Sequence, residues 1–381
     1  MRPFTPIWNA ADGRANWPTT NAWAKLAHMC GPIHIVEALM IEPQDRPVPV
    51  RHLEKAWLQY TLTDKVVTGA AHGREVAEDY VQMAAIVHGG LAAIEETPAV
   101  ISVVNANSPL RYDDRMLGGL ISYARHNQAV IVTPFILAGA MSPVSMAAAV
   151  AQQNAEALAG IALMQLVRPG CPAVYGAFST NLDLKTGAPA LGTPEGALAL
   201  LMGGQLARHY GLPFRGSGGL NNSKVVDAQA AAETQMSLWP VVMSHANVSL
   251  HCAGWLEAGL VCSLEKFMVD VEGLAIMQRL LQGVVVDDET LAFDEIAQIG
   301  PGGHHLGTDY TLNRFREAFY MPVLADRQNY ESWKLAGAQD AAVRAHKLAN
   351  QLIAEYEAPV FDAAVQEELA AFIAQRKAAV N

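Results

Sequence analysis

The chain has 381 residues, 51% of them hydrophobic and 17% charged, with a formal net charge of −11. That balance excludes a disordered or fibrous protein, and without a Lys/Arg run it excludes nucleic-acid binding through a basic face. Cys30, Cys171, Cys252 and Cys262 are widely spaced with no CxxC pair, which argues against a disulfide scaffold and for a reducing, cytoplasmic location. The opening MRPFTPIWNAADGR lacks the apolar core of a signal peptide.

In chain order, residues 1–30 read as a lead-in segment, with a helix over Thr19–Cys30 that Asn21 can cap. Short apolar runs then alternate with helical segments. The runs are Ile33–Leu39, Lys65–Ala70, Val100–Asn105, Val130–Phe135, Ala173–Phe178, Leu212–Gly216, Asn247–Cys252 and Leu260–Ser263. Helices are predicted over Val50–Tyr60, Arg74–Ala93, Arg111–His126, Pro143–Val167, Pro194–Tyr210 and Ser223–Ser244. Ser108-Pro109, Ser142-Pro143 and Thr193-Pro194 each offer a hydroxyl cap with proline in the first turn. The runs are apolar throughout, as expected of parallel strands covered on both faces.

Eight such strands predict an α/β fold, a (β/α)8 TIM barrel over residues 31–285. The connection GWLEAGL between the last two strands is too short for a crossover helix, which makes the eighth strand the weak point of the pattern. Asn127–Ala155 carries no charge, but Pro134 and Pro143 interrupt it, so a barrel strand and buried helix are expected rather than a membrane span. After a closing helix over Leu264–Leu281, residues 286–381 read as a C-terminal helical appendage packed on the barrel.

The stretch Leu212–Glu233, LPFRGSGGLNNSKVVDAQAAAE, is read as strand, Gly/Ser/Asn turn and helix, with Ser223 as N-cap. Its polar side chains fall at a strand's carboxyl end, where α/β barrels place their chemistry. An ordinary βα loop, with Gly and Asn at φ > 0 positions, is the alternative.

Six segments in order resemble the trimethylamine methyltransferase family. They are PLRYDDRMLGGLISYARHNQ, AGAMSPVSMAAAVAQQNAEALAG, DLKTGAPALGTPE, RGSGGLNNSKVVDAQA, HCAGWLEAGLVCSLEKFMVD and GPGGHHLGTDYTLNRFREAFYMPVLADR. The resemblance implies a TIM barrel that moves a methyl group from a methylated amine to the Co(I) of a cognate corrinoid (cobalamin) protein. No pyrrolysine is present, so the chain resembles the non-pyrrolysine branch, whose substrates are quaternary amines such as glycine betaine. The expected partners are that corrinoid protein and a small cationic methylated amine, with no nucleic acid, no membrane and a possible homo-oligomer. His304-His305 departs from the family's usual single histidine and aromatic.

Candidate residues are weighed on chemistry and rim position. His251, Glu257 and Asn221 are the catalytic candidates. Glu37, Asn105, Tyr175, Phe178, Arg215, Ser217, Asn222, Trp255 and His304 are the substrate-binding candidates. Trp255 and Phe178 offer faces for a quaternary cation, and Arg215 a fork for a betaine carboxylate. Each has a plainer alternative: Trp255 packing a loop, Glu257 capping a helix, Tyr175 and Phe178 in the core, Arg215 paired with Asp227. Glu37 inside an apolar run is costly unless paired, and is favoured over Glu42. Glu265 and Lys266 are expected to pair with each other or with the closing loop. No metal of its own is expected, since His251, Cys252 and Cys262 match no common zinc spacing. Two other functions stay open: a betaine-binding protein without turnover, and an acid–base enzyme using Glu265/Lys266 or His251 on another substrate.

Overall fold

A computed structural model of the chain describes residues 15–36 and 41–380. Glu37 lies outside the described residues. The chain opens with α1 (Trp17–Met29), whose N-cap is Asn16 rather than Asn21, because Pro18 at the start sets the helical φ and the Asn16 side chain accepts from Thr19 N. Strand β1 (Ile35–Val36) then leads to α2 (Arg51–Leu62) and β2 (Val66–Gly69). The expected helix over Arg74–Ala93 is two, α3 (Arg74–Val87) and α4 (Leu91–Glu96), because Gly89 and Gly90 both take positive φ between them.

Strand β3 (Ile101–Val104) is followed by α5 (Asp114–Arg125), capped by Asp113. Ser108 is therefore not the cap; its hydroxyl donates to Glu156 Oε2 instead (2.6 Å). The run Val130–Phe135 breaks at Thr133-Pro134 into β4 (Ala129–Val132) and β5 (Phe135–Ala138), since Pro134 has no N–H to continue a ladder. Helix α6 (Met146–Val167) is capped by Ser145, three residues later than the predicted Ser142-Pro143 start. Strands β6 (Ala173–Gly176), β7 (Phe178–Leu182) and β8 (Pro189–Ala190) precede α7 (Pro194–His209), where Thr193 caps as expected.

Strand β9 (Phe214–Ser217) leads to α8 (Ala228–Met243), which begins later than predicted. Asp227, not Ser223, is its cap: the carboxylate accepts from Ala230 N, and Ser223 Oγ donates to that carboxylate (2.8 Å). A carboxylate accepting at a helix start also meets the dipole favourably. Then come β10 (Val248–Leu250), β11 (Trp255–Leu256), β12 (Val261–Cys262) and α9 (Leu264–Leu281).

Seven strands form one curled parallel sheet in the order β1-β2-β3-β4-β6-β9-β10. The predicted eighth strand does not join it. Val261 and Cys262 pair antiparallel with Leu256 and Trp255, because the short turn between them permits a hairpin but no crossover. Beyond the sheet's carboxyl ends, β5, β7 and β8 make a second small sheet, in which Phe135 pairs with Phe178.

Side-chain alternation divides the strands. Val130, Val132, Ala173, Tyr175 and Phe214 join the layer between sheet and helices. Ile131, Val174 and Leu250 pack inside the curl with Ile101, Val103 and Val248. Arg215 and Ser217 alternate with the outward Phe214 and so share the inner face.

The C-terminal part comprises α10 (Asp288–Leu291), α11 (Phe293–Ile299), α12 (Asp309–Arg314), α13 (Tyr330–Leu335), α14 (Ala341–Ala354) and α15 (Ala363–Val380). Helix α14 packs on α9 and α1, and α15 on α2 and α3. Arg376 of α15 pairs with Asp79, which also holds His52. Among the described residues no helix is long and apolar enough to cross a membrane.

Candidate active site

Arg215, Ser217, His251, Phe178 and Trp255 come together at the carboxyl ends of the sheet. Arg215 and Ser217 project inward from β9. His251 directly follows β10 with φ +59°, a left-handed conformation that costs a non-glycine residue and recurs at functional sites. Its Nδ1 lies 2.8 Å from Ser217 Oγ and 3.2 Å from Arg215 Nη2. Arg215 Nη1 donates to Thr133 Oγ1 (3.1 Å) at the end of β4.

This geometry fixes the tautomer of His251. A guanidinium has donors only, so Nδ1 must accept, and the proton of a neutral ring sits on Nε2. Burial first, and the Arg215 charge second, push the imidazolium down to about 3. The folded protein thus binds fewer protons here than the unfolded chain between about pH 3 and the ordinary histidine value of 6.5. The resulting stability is present above that ordinary value and lost as pH falls through the window. We expect the His251 ring resonances not to titrate between about pH 5 and 8 in NMR spectra; a midpoint near the ordinary value would contradict the buried, Arg-facing ring.

Aromatic rings complete the cluster. Phe178 lies 5.7 Å from the His251 ring and 5.8 Å from the Arg215 guanidinium carbon. Trp255 meets the imidazole edge-on at 5.9 Å and 75°. Phe135 stacks on Phe178 at 4.6 Å. A cavity of about 660 Å³ borders His251, Cys252 and Trp255 and runs down between β1 and β10. Arg215 is 1% exposed, so its charge acts with little solvent screening.

The Gly/Ser/Asn loop after β9 builds the wall around this cluster rather than its centre. A Cβ on Gly219 would lie 2.3 Å from the His251 carbonyl oxygen, and its φ is +79°; only glycine fits both constraints. Asn221 is fully buried and donates to the Trp255 carbonyl (2.6 Å), while its Oδ1 accepts from Ser223 N. Asn222 accepts from Leu191 N and donates to the Pro189 carbonyl, fastening β8. Both amides therefore satisfy backbone groups, a positioning duty.

Behind the loop sits a buried ion pair. Lys266 on α9 pairs with Asp270, one turn on, and donates to Thr234 Oγ1 (2.9 Å), which in turn donates to the Gly219 carbonyl (3.2 Å). Asp270 also accepts from Gly254 N (2.8 Å), beside Trp255. Burial pushes the Asp270 carboxyl up to about 6 against the opposing pull of Lys266. The expected Glu265–Lys266 pairing is thus replaced: Glu265 accepts from Ser263 Oγ and meets His346 of α14 at 2.9 Å. The expected Arg215–Asp227 alternative is replaced too, since Asp227 serves as the α8 cap.

Other candidates lie elsewhere. Tyr175 is fully buried in the outer layer, with its hydroxyl donating to Asn154 Oδ1 (3.0 Å) and its ring against Phe214. Asn105 is exposed just after β3, on the same rim. Glu257 is half-buried in the turn of the β11–β12 hairpin, where its backbone N–H donates to the Ser223 carbonyl. His304 is exposed in the C-terminal part. Glu42 pairs with Lys55 and Arg51, a structural arrangement. Thr133, Phe135 and Gly219 were not singled out from sequence; the Thr133-Pro134-Phe135 break after β4, read by the same rim argument, points to the first two. Among the described residues no group of three or more His, Cys, Asp or Glu is placed to hold a metal ion.

The sequence comparisons agree with one another. The chain is 42% identical over 357 residues to the glycine betaine methyltransferase of Desulfitobacterium hafniense strain Y51, covering 93% of this chain and 74% of that protein. It is 30% identical to the trimethylamine methyltransferase MttB of D. hafniense strain DCB-2, over 87% of this chain and 67% of that protein. It is 32% identical to the MttB of Methanosarcina barkeri strain Fusaro, over 70% of this chain and 53% of that longer protein. The model of the trimethylamine methyltransferase (MTTB) family matches residues 6–381. Near-complete coverage by that family, together with such relatives, makes this chain a methyltransferase belonging to the trimethylamine methyltransferase family.

Proposed function

We propose that the chain transfers a methyl group from a betaine-like quaternary amine to the Co(I) of a corrinoid carried by a partner protein. The observation that carries this reading is the cluster around His251, which a buried guanidinium and an indole ring both approach. A zwitterionic betaine has the matching pattern. Its carboxylate suits the Arg215 fork, and its trimethylammonium suits the faces of Trp255 and Phe178. Likeness to the glycine betaine methyltransferase supports the same substrate class.

When bound, the partner's corrinoid supplies the nucleophile. The carbon–nitrogen bond breaks as the methyl group is displaced, and the amine leaves neutral without needing a proton. This chain therefore contributes binding and alignment, placing one N-methyl group along the line of attack. The His251 Nε2–H is available as a donor to the substrate. Ser217, Asn221 and Thr133 act as positioning residues for His251, Trp255 and Arg215 respectively. The seven-stranded sheet is read as a (β/α)8-type barrel whose eighth place is taken by the β11–β12 hairpin. An acid–base enzyme built on Glu265 and Lys266 loses support, because both are engaged away from the cluster.

The direct test is incubation with glycine betaine and a reduced corrinoid protein, following dimethylglycine and methylcobalt absorbance together. The reading requires both to appear with betaine and neither with trimethylamine. Turnover of trimethylamine alone would overturn it. Within the same assay, Trp255→Ala is expected to weaken betaine binding by about 1–2 kcal/mol by calorimetry. Unchanged affinity in the folded variant would remove Trp255 from the site.

A further inference from the structure

The main sheet leaves a seam between its two outer strands. One edge of β10 pairs with β9 and one edge of β1 with β2, and among the described residues no strand joins their other edges. The cavity of about 660 Å³ occupies this seam, between Ile35 and Val36 of β1 and Val248 to Leu250 of β10. Its outer wall is the face of α9 that carries Leu274, Gln278 and Leu281, spaced four and three residues apart.

The two ends of the seam differ. At the upper end His251 and Trp255 border both the seam and the candidate active site. Along its length Ile35, Val36, Val248, Leu250 and Leu274 make it mainly apolar. At the lower end His34, His245 and Asn247 form an exposed polar mouth. Asn247 and His251 are four strand steps apart, roughly 13 Å. Glycine betaine held at Trp255 occupies only the upper end, and the cavity is of a size that takes much larger ligands.

We propose that the seam takes an apolar alkyl tail borne by the substrate's quaternary nitrogen, an inference that rests on the proposed function. The strand order gives that nitrogen two directions. Arg215 stands on β9, inward of β10, while the seam lies beyond the outer edge of β10. An N-alkyl-N,N-dimethylglycine therefore directs its carboxymethyl group to Arg215 and its alkyl chain down the seam, leaving its methyl groups at the rim. Transfer breaks one methyl carbon–nitrogen bond. The electron pair stays on nitrogen, the methyl group joins the Co(I) of the partner's corrinoid, and N-alkyl-N-methylglycine leaves. The seam also sets a length limit: an extended chain of about eight to ten carbons reaches the polar mouth, and further methylenes enter water.

The test is calorimetry of the full chain with ethyl-, butyl-, octyl- and dodecyltrimethylammonium below their micelle concentrations. Affinity is expected to rise about twofold to fourfold per methylene up to octyl and to level off by dodecyl. Leu274→Asp places a charge midway down the seam, and Gln278→Trp fills it. Each is expected to cut the octyl-to-ethyl affinity ratio by about tenfold or more with circular dichroism unchanged. The ratio is read within one protein, so a general loss of affinity cancels. Affinity that is flat from ethyl to octyl overturns the inference, as does a ratio that survives both variants. So does 1-octanol binding as tightly as octyltrimethylammonium, because the tail is then not tied to the cationic head. N-octyl-N,N-dimethylglycine is expected to be demethylated alongside glycine betaine; turnover of glycine betaine alone overturns the inference. Length-dependent binding with no methyl transfer from either compound counts against the proposed reaction, not against the seam.

Discussion

Arg215→Gln is expected to lower kcat/KM for glycine betaine by about 100-fold, roughly 2.7 kcal/mol, as lost charge-assisted hydrogen bonding. The same variant should lower kcat/KM for a quaternary amine lacking a carboxylate, such as choline, by less than about tenfold. The contrast matters more than either number, because Arg215 also donates to Thr133 and His251 and its loss disturbs both. A structural role alone predicts equal losses for the two substrates. Arg215→Lys keeps the charge but not the fork, and should fall between wild type and glutamine for betaine only. Equal losses across both substrates, with circular dichroism intact, would end the assignment of Arg215 to the carboxylate.

Lys266→Met is expected to destabilise the fold by about 3–5 kcal/mol at about pH 8, measured by urea unfolding, because it strands the buried Asp270 carboxylate. The Asp270 carboxyl already sits at about 6 with Lys266 in place, and removing that cation raises it further. A raised carboxyl contributes stability below its unfolded value of 3.8 and loses it as pH rises through the folded value. The Lys266→Met deficit should therefore shrink by about pH 5, where the carboxyl is protonated. The double variant Lys266→Met/Asp270→Leu should recover most of the loss at about pH 8, since no charge is left buried. A deficit independent of pH would show that the pair is not what Lys266 supports. Both variants should also impair methyl transfer, because this pair holds the Gly219 and Gly254 turns on either side of His251.

Much of this was legible in the residues. The alternation of apolar runs with helices located the strands of the main sheet, because burial on both faces writes an unbroken apolar run. The rim argument picked out Arg215, Ser217, His251, Phe178 and Trp255, which the fold gathers. It also picked out Tyr175 and Asn222, which the fold uses otherwise. Tyr175 sits one residue from Val174, and strand alternation sends the two to opposite faces of the sheet. An apolar run carries no parity signal, so its sequence cannot say which residue faces inward.

The caps show a second limit. Ser108, Ser142 and Ser223 all have the composition of an N-cap, and in each case a residue further along, Asp113, Ser145 or Asp227, takes that place. Local propensity names the residue types but not which of several hydroxyls and carboxylates the backbone will reach. By itself the sequence determined a family, an α/β chain and the apolar runs that become its main sheet. Only the tertiary structure decided that Arg215 and Trp255 both meet His251, that Asn221 holds a backbone carbonyl, and that Lys266 pairs with Asp270. Those outcomes depend on residues far apart in the chain meeting in a low-dielectric interior, where direction and burial, not residue type, set the energy.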